Sequence, residues 1–243
     1  MSTLLLRLAG PMQSWGTRSR FSYRFTDSQP SKSAILGLLA AAQGRRRSEP
    51  IEDLLHLRFG VRLDQPGRVI RDFQTARSLD GSRAMPLTQR YYLSDAVYVA
   101  GVEGPQELID SLSLAVRRPE YPLYLGRRSC PPARSVHIGV REMGVADALA
   151  STEEEVGAPW EAALWWRRRQ PVEVDLEIVR DVLPGEATTE LVPDAPLSFD
   201  PHHRRYAMRP VLHAVCSVRN HEGRPRMKGR YLTTHDPFEM TGS

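Results

Sequence analysis

The stretch RYYLSDAVYVAGVEGPQELIDSLSLAVRR, residues 90–118, couples a strand to a helix and so decides the fold class. Its first half, Arg90 to Val102, is rich in tyrosine and valine without strict alternation, the pattern of a strand buried on both faces. Gly104-Pro105 ends that strand. Leu108, Ile109, Leu112 and Ala115 then recur at helical spacing and predict a helix to about Val116. Working back toward the N-terminus, Phe59 to Leu63 and Arg68 to Gln74 read as a hairpin about Gln65-Pro66-Gly67, and polar Ala76 to Pro86 as a mobile tip. Before these, Ser31 caps a helix running to about Gln43, with Ala34, Ile35, Leu38, Leu39 and Ala42 on one face and Gly44 at its end. A short helix, Glu49 to Leu57, is expected behind a Ser48 cap. The chain opens with the apolar run Thr3 to Ala9, a buried strand stopped by Gly10-Pro11. Strand, helix, strands, strand, helix and an edge segment make an α+β chain on the split β-α-β-β-α-β, ferredoxin-like plan.

Beyond Val140 the pattern weakens. Glu153 to Trp166 is expected to be helical, with Trp160, Leu164 and Trp165 as a packing patch. Val172 to Val182 and Arg209 to Val218 read as strands, and the proline-bearing stretch Leu183 to His203 as a loop. The basic tail from His221 has few apolar residues and is expected to dock on a partner or stay disordered.

With 243 residues, 41% apolar and 26% charged, the chain has the composition of a soluble globular protein. No apolar run approaches the ~20 residues that span a bilayer. Arg7 interrupts the first apolar run and no charged region precedes it, so no secretory signal is read there. Cys130 and Cys216 are therefore expected as reduced thiols in a cytoplasmic protein. The net charge of +4 is unevenly spread: residues 1–47 carry +7, 117–141 carry +5, 142–200 carry −10 and 201–243 carry +5. Of 33 basic residues 31 are arginine, a bias that suits phosphate contacts. The separate acidic stretch suits a protein partner.

The most distinctive short stretch is PLYLGRRSCPP, Pro122 to Pro132. Gly126 can adopt backbone conformations closed to other residues or admit a close neighbour. The adjacent Arg127 and Arg128 supply planar forks that bind phosphate bidentately. From Met12 to Thr26, Trp15, Phe21, Tyr23 and Phe25 interleave with Arg18, Arg20 and Arg24. That alternation serves base stacking and phosphate neutralisation, and equally a strand with aromatics on one face and arginines on the other. Lys32 and Ser33 open the first helix, where free N–H groups favour anions. Arg45, Arg46 and Arg47 follow its C-terminus and complement the dipole there.

Catalytic signatures are thin. His202-His203 lacks further ligands at metal-binding spacing, so no metal or cofactor is expected. No nucleophile elbow, P-loop or dinucleotide fingerprint occurs. A metal-independent ribonuclease would need a base, an acid and an oxyanion stabiliser together; His56, His137 and His213 are the candidates, His213 fitting a core histidine better.

Four blocks, LRLAGPMQSWG, PSKSAILGLLAAAQGRRR, RYYLSDAVYVAGVEGP and PLYLGRRSCPP, resemble the CasD family in order and spacing, covering residues 5–132. The resemblance implies an RNA-binding, non-catalytic subunit of the type I-E CRISPR Cascade, in the RAMP superfamily, that caps the 5′ handle of the guide RNA. It implies an RRM-like palm at residues 1–140, a thumb hairpin inserted at about 71–90, and a smaller β-rich part, 141–243, that completes or flanks the palm. The handle would lie over Gln13, Ser14, Trp15 and Gly16, with Arg18, then Lys32 and Ser33, and the turn Gly126, Arg127 and Arg128. The thumb, with Arg71 and Arg90 at its base, would meet the CasC backbone subunit. CasA would sit beside this end, and target DNA would be engaged only through the complex. A related subtype cuts precursor RNA with this subunit, so a metal-independent endoribonuclease is the alternative. The lysine–histidine pair of that cutting group is absent here.

Overall fold

The computed structural model describes residues 1–16, 23–153, 156–199 and 205–224. Strands β1 (Ser2–Ala9), β2 (Met12–Gln13) and β3 (Tyr23–Arg24) lead into helices α1 (Lys32–Ala42) and α2 (Glu52–Leu55). Next come β4 (Arg58–Gln65), β5 (Arg68–Gln74), β6 (Thr88–Ser94), β7 (Val97–Gly104), α3 (Gln106–Arg117) and β8 (His137–Arg141). The C-terminal third supplies α4 (Val145–Ala150), α5 (Leu164–Arg167), β9 (Glu173–Asp181), β10 (Glu190–Ser198) and β11 (Arg205–Arg219). The result is a mixed α/β chain dominated by antiparallel sheet.

Seven strands form one antiparallel sheet in the order β10-β11-β9-β4-β7-β1-β8. The continuous apolar run of β1 follows from its central place there, with both faces covered. Leu4, Leu6 and Leu8 pack with Ile35 and Leu39 of α1 and Ile109 and Leu112 of α3. Leu5 points the other way, into a second cluster with Val145 and Leu149 of α4 and Ile178 of β9. Truncating any of these leucines to alanine removes about 2–5 kcal/mol.

The deciding stretch divides differently from its appearance. Arg90 to Val102 is two strands, because Asp95 takes a positive φ of 58° and turns the chain between sheets. Opposite it, Pro66-Gly67 links β4 of the first sheet to β5 of the second; β4 pairs with β7 and β9, and β5 with β6. The hairpin expected about Gln65-Pro66-Gly67 is thus a bend in a longer two-stranded ribbon. Two buried glutamines bind backbone carbonyls at this bend and on β1. Gln13 Nε2 donates to the carbonyls of Ala96 (2.6 Å) and Leu8 (3.0 Å), and Gln65 Nε2 donates to that of Asp95 (2.7 Å). In the second, four-stranded sheet β6 is central, flanked by β5 on one side and by β2 and β3 on the other.

Three further expectations change. The stretch Leu183 to His203 contains β10, an edge strand that accommodates Pro193 and Pro196 where its register with β11 shifts. The helix expected over Glu153 to Trp166 reduces to α5, since Gly157 and Pro159 interrupt helical geometry. The helix after Ser48 starts only at Glu52, capped by the backbone of Ile51 with no side-chain bond. The tail beyond Arg224 lies outside the described residues. Cys130 and Cys216 are buried free thiols, and no helix of the described residues is long and apolar enough to cross a membrane.

Candidate nucleic-acid interface

Helix α1 organises the candidate site, and its two ends have opposite fates. At the N-terminus, Ser31 Oγ accepts from the Ala34 N–H at 3.2 Å, as a cap should. The anion favoured there is internal. Asp194 of β10 accepts the Lys32 N–H at 2.7 Å, and Lys32 Nζ pairs with Asp181 of β9 at 2.9 Å. Arg209 of β11 grips Asp194 with Nε and Nη2 (2.6 and 2.8 Å) and reaches Asp181 with Nη1 at 2.6 Å. Lys32 is therefore buried and engaged, and the expectation that it binds phosphate gives way to a structural role.

At the C-terminus, Gly44 (φ 79°) allows a tight cap: its N–H bonds Ala41 O, and that of Arg45 bonds Ala40 O. The Arg45 guanidinium closes on Asp53 with two bonds of 2.5 and 2.6 Å. Arg46 and Arg47 project into solvent, and among the described residues their guanidinium groups have no hydrogen-bond or ion-pair partner. Sequence reasoning takes both only as complements to the helix dipole, although the run of three arginines is a visible signal.

The glycine turn docks against these elements. The N–H groups of Glu120 and Tyr121 bond the α1 carbonyls of Ala42 and Ala41. Gly126 has φ 86°, and a Cβ there would lie 1.7 Å from the Ser14 carbonyl oxygen, so the glycine serves close approach of the chain to itself. Arg127 points inward. Its guanidinium donates to the carbonyls of Tyr91 (3.1 Å), Arg24 (2.7 Å) and Phe25 (3.3 Å), and lies over the Tyr92 ring at 4.8 Å. Its expected phosphate contact becomes a staple between the turn and the second sheet. Arg128 points outward with no such partner among the described residues.

Between α1 and the turn runs an open groove of about 890 Å³. Gly16, Ser33, Gly126 and Arg128 line it together with Arg45, Arg46, Arg47 and Tyr121. The other sequence-predicted residues fall elsewhere. Gln13, Ser14 and Trp15 are buried: the Trp15 indole donates to Gln13 Oε1 at 3.0 Å and the Ser14 hydroxyl to the Tyr91 carbonyl at 3.2 Å. None of the three lines the groove, and the buried Trp15 ring is closed to a base. Arg71 is exposed on β5, Arg90 is half-buried on β6, and Arg18 lies outside the described residues.

Part of the acidic stretch is paired within the fold. Glu161 pairs with Arg7, Glu186 with Arg180, and Asp181 and Asp194 with Lys32 and Arg209. These pairs account for part of the charge contrast seen in sequence. Two of the candidate histidines, His137 and His213, lie far apart. His137 on β8 bonds Ser113 at 2.8 Å, and burial, with Arg117 nearby, lowers its pKa. His213 on β11 sits five strand spacings away, about 24 Å. It is partly exposed between Glu177 (3.2 Å) and Glu190 (3.1 Å), a correction to its core placement.

A family model described as CRISPR-associated protein (Cas_Cas5) matches residues 3–212. The CRISPR system Cascade subunit CasD of Escherichia coli (strain K12) is 33% identical over 177 residues, 64% of this chain and 79% of that protein. Two solved structures superimpose over nearly the whole length. One, described as a Cas protein, has 35% identity and TM-score 0.63, covering 92% of this chain and 97% of the other. The second, a chain of a CRISPR RNA-guided surveillance complex, has 31% identity and TM-score 0.68, covering 93% and 95%.

Proposed function

The chain belongs to the CRISPR-associated Cas5 family, and from that premise we propose that it is a non-catalytic Cascade subunit that caps the 5′ handle of the guide RNA in the cytoplasm. The observation that carries this reading is the groove, where Arg46, Arg47 and Arg128 converge from two elements with unengaged guanidinium groups. Planar cations around an open channel bind a sugar–phosphate backbone, and a flexible single strand conforms to it more readily than a duplex. The order β4-β7-β1-β8, with α1 and α3 against one face, supports the ferredoxin-like, RRM-like palm. The β5–β6 ribbon supports the thumb, through which we place contact with CasC. Strands β9 to β11 flank the palm, CasA lies next to the handle end, and target DNA is reached through the complex.

The test is a gel-shift assay of purified protein with labelled repeat RNA, as hairpin precursor and as mature handle. Retention of intact RNA, tighter for the handle than for a scrambled strand, is the expected outcome. A metal-independent cut at the hairpin base would replace this reading with the endoribonuclease one.

A further inference from the structure

We propose that Tyr23, Phe25 and Tyr91 form a stacking platform for one unpaired base of the bound RNA, held in position by Arg127; this rests on the RNA-binding reading above. The three rings make a nearly parallel ladder: Tyr23 and Phe25 have centroids 6.1 Å apart and planes 12° apart, and Phe25 and Tyr91 are 5.0 Å and 20° apart. Tyr23 is 48% and Phe25 49% exposed, so the ladder presents aromatic surface to solvent. Every base has a π-face that can extend such a stack, whatever its sequence.

Its position selects the occupant. Arg128, exposed at the groove, places a cation on the same turn that Arg127 bonds to the backbone of the ladder. That pairing of aromatic and cationic surface matches an unstacked nucleotide, which carries a base and a phosphate together. Arg127 links the two. It bonds the carbonyls of Phe25 and Tyr91, the backbones that carry two of the rings, and it directly adjoins Arg128. A strand whose phosphate rests on Arg128 can turn its base onto a ladder already in place. Arg127 is thus a positioning residue whose guanidinium sets the spacing of the ladder without touching RNA.

The test uses purified full-length protein and single-stranded handle RNA carrying 2-aminopurine at one position at a time. With the unaltered protein, one position should be quenched. Tyr23→Leu with Phe25→Leu should abolish that quenching and weaken binding between about five- and a hundredfold, leaving the salt slope unchanged. Phe25→Trp should keep both quenching and affinity, and Arg127→Met should lose the quenching while the salt slope stays. If the unaltered protein binds the handle with no quenched position, or the double variant binds as tightly, the platform is refuted and the RNA-binding reading survives. A protein that binds no handle at all refutes both. A double variant that keeps RNA affinity but no longer co-assembles with other Cascade subunits makes the ladder a protein contact and overturns the proposal.

Discussion

Removing the three outward-facing guanidinium groups at once tests the groove most directly. The guanidinium groups of Arg46, Arg47 and Arg128 have no hydrogen-bond or ion-pair partner among the described residues, so Arg46→Ala, Arg47→Ala and Arg128→Ala together should change stability little, within about 0.5 kcal/mol per site. Each phosphate neutralised on a single strand contributes about 0.7 to the slope of log K against log salt concentration. If each arginine meets one phosphate, the triple variant should lower that slope by about 2. Between about 50 and 200 mM salt, the unaltered protein should then lose about twentyfold more affinity than the variant. Fluorescence-anisotropy titrations with handle RNA at four or five salt concentrations measure the slope, and thermal unfolding checks the fold. Arg127→Ala is the internal control: its guanidinium donates to three carbonyls, so it should lower stability and leave the slope alone. An unchanged slope in the triple variant, together with a slope lowered by about 0.7 in Arg127→Ala, would refute the assignment of inward and outward arginines.

Gly126→Ala combines a positive φ with a Cβ 1.7 Å from the Ser14 carbonyl oxygen. The left-handed conformation alone costs about 1–2 kcal/mol and the clash adds to it; a urea midpoint equal to that of the unaltered protein would contradict the packing described. Asp194→Ala strips buried Arg209 of its two-pronged acceptor and the α1 N-terminus of its anion. It should destabilise by about 3–5 kcal/mol, and chemical denaturation showing a loss below about 1 kcal/mol would mean the network is dispensable. Hydrogen bonds from Arg180 and the Leu183 N–H hold the Glu186 carboxyl down at about 2, below the ordinary glutamate value of about 4.3. Because the folded state favours the ionised form, the contribution is present above the ordinary range and disappears as pH falls toward 2. Glu186→Gln should therefore flatten the acid limb of the stability curve in that window, and an identical limb would count against the pairing.

What could be read directly from the chain were features decided within a few residues. The apolar run Thr3 to Ala9 required a strand covered on both faces, and β1 has leucines in both core clusters. Ser31 and Gly44 marked the two ends of α1 because a cap is a local arrangement of one side chain or one glycine with the adjacent turn. Helix α3 followed from apolar spacing alone. The triplet after α1 was visible as a basic run that complements the helix dipole, and the glycine turn as a phosphate-suited one.

Which cations remain available was decided only in three dimensions. Lys32 and Arg128 look alike in sequence, one at a helix start and one after a glycine. Asp181 and Asp194 come from 149 and 162 residues away to engage Lys32, whereas nothing among the described residues reaches Arg128. Arg127 and Arg128 are neighbours, yet the turn aims one at three carbonyls and the other at solvent. The same limit hid the bend at Pro66-Gly67 and the edge strand β10, since a strand's partner depends on which chain arrives beside it. Periodicity and caps are properties of local backbone geometry and can be read in order. The partner of a charge or of a strand edge is set by the packing of distant segments, and only the folded chain settles it.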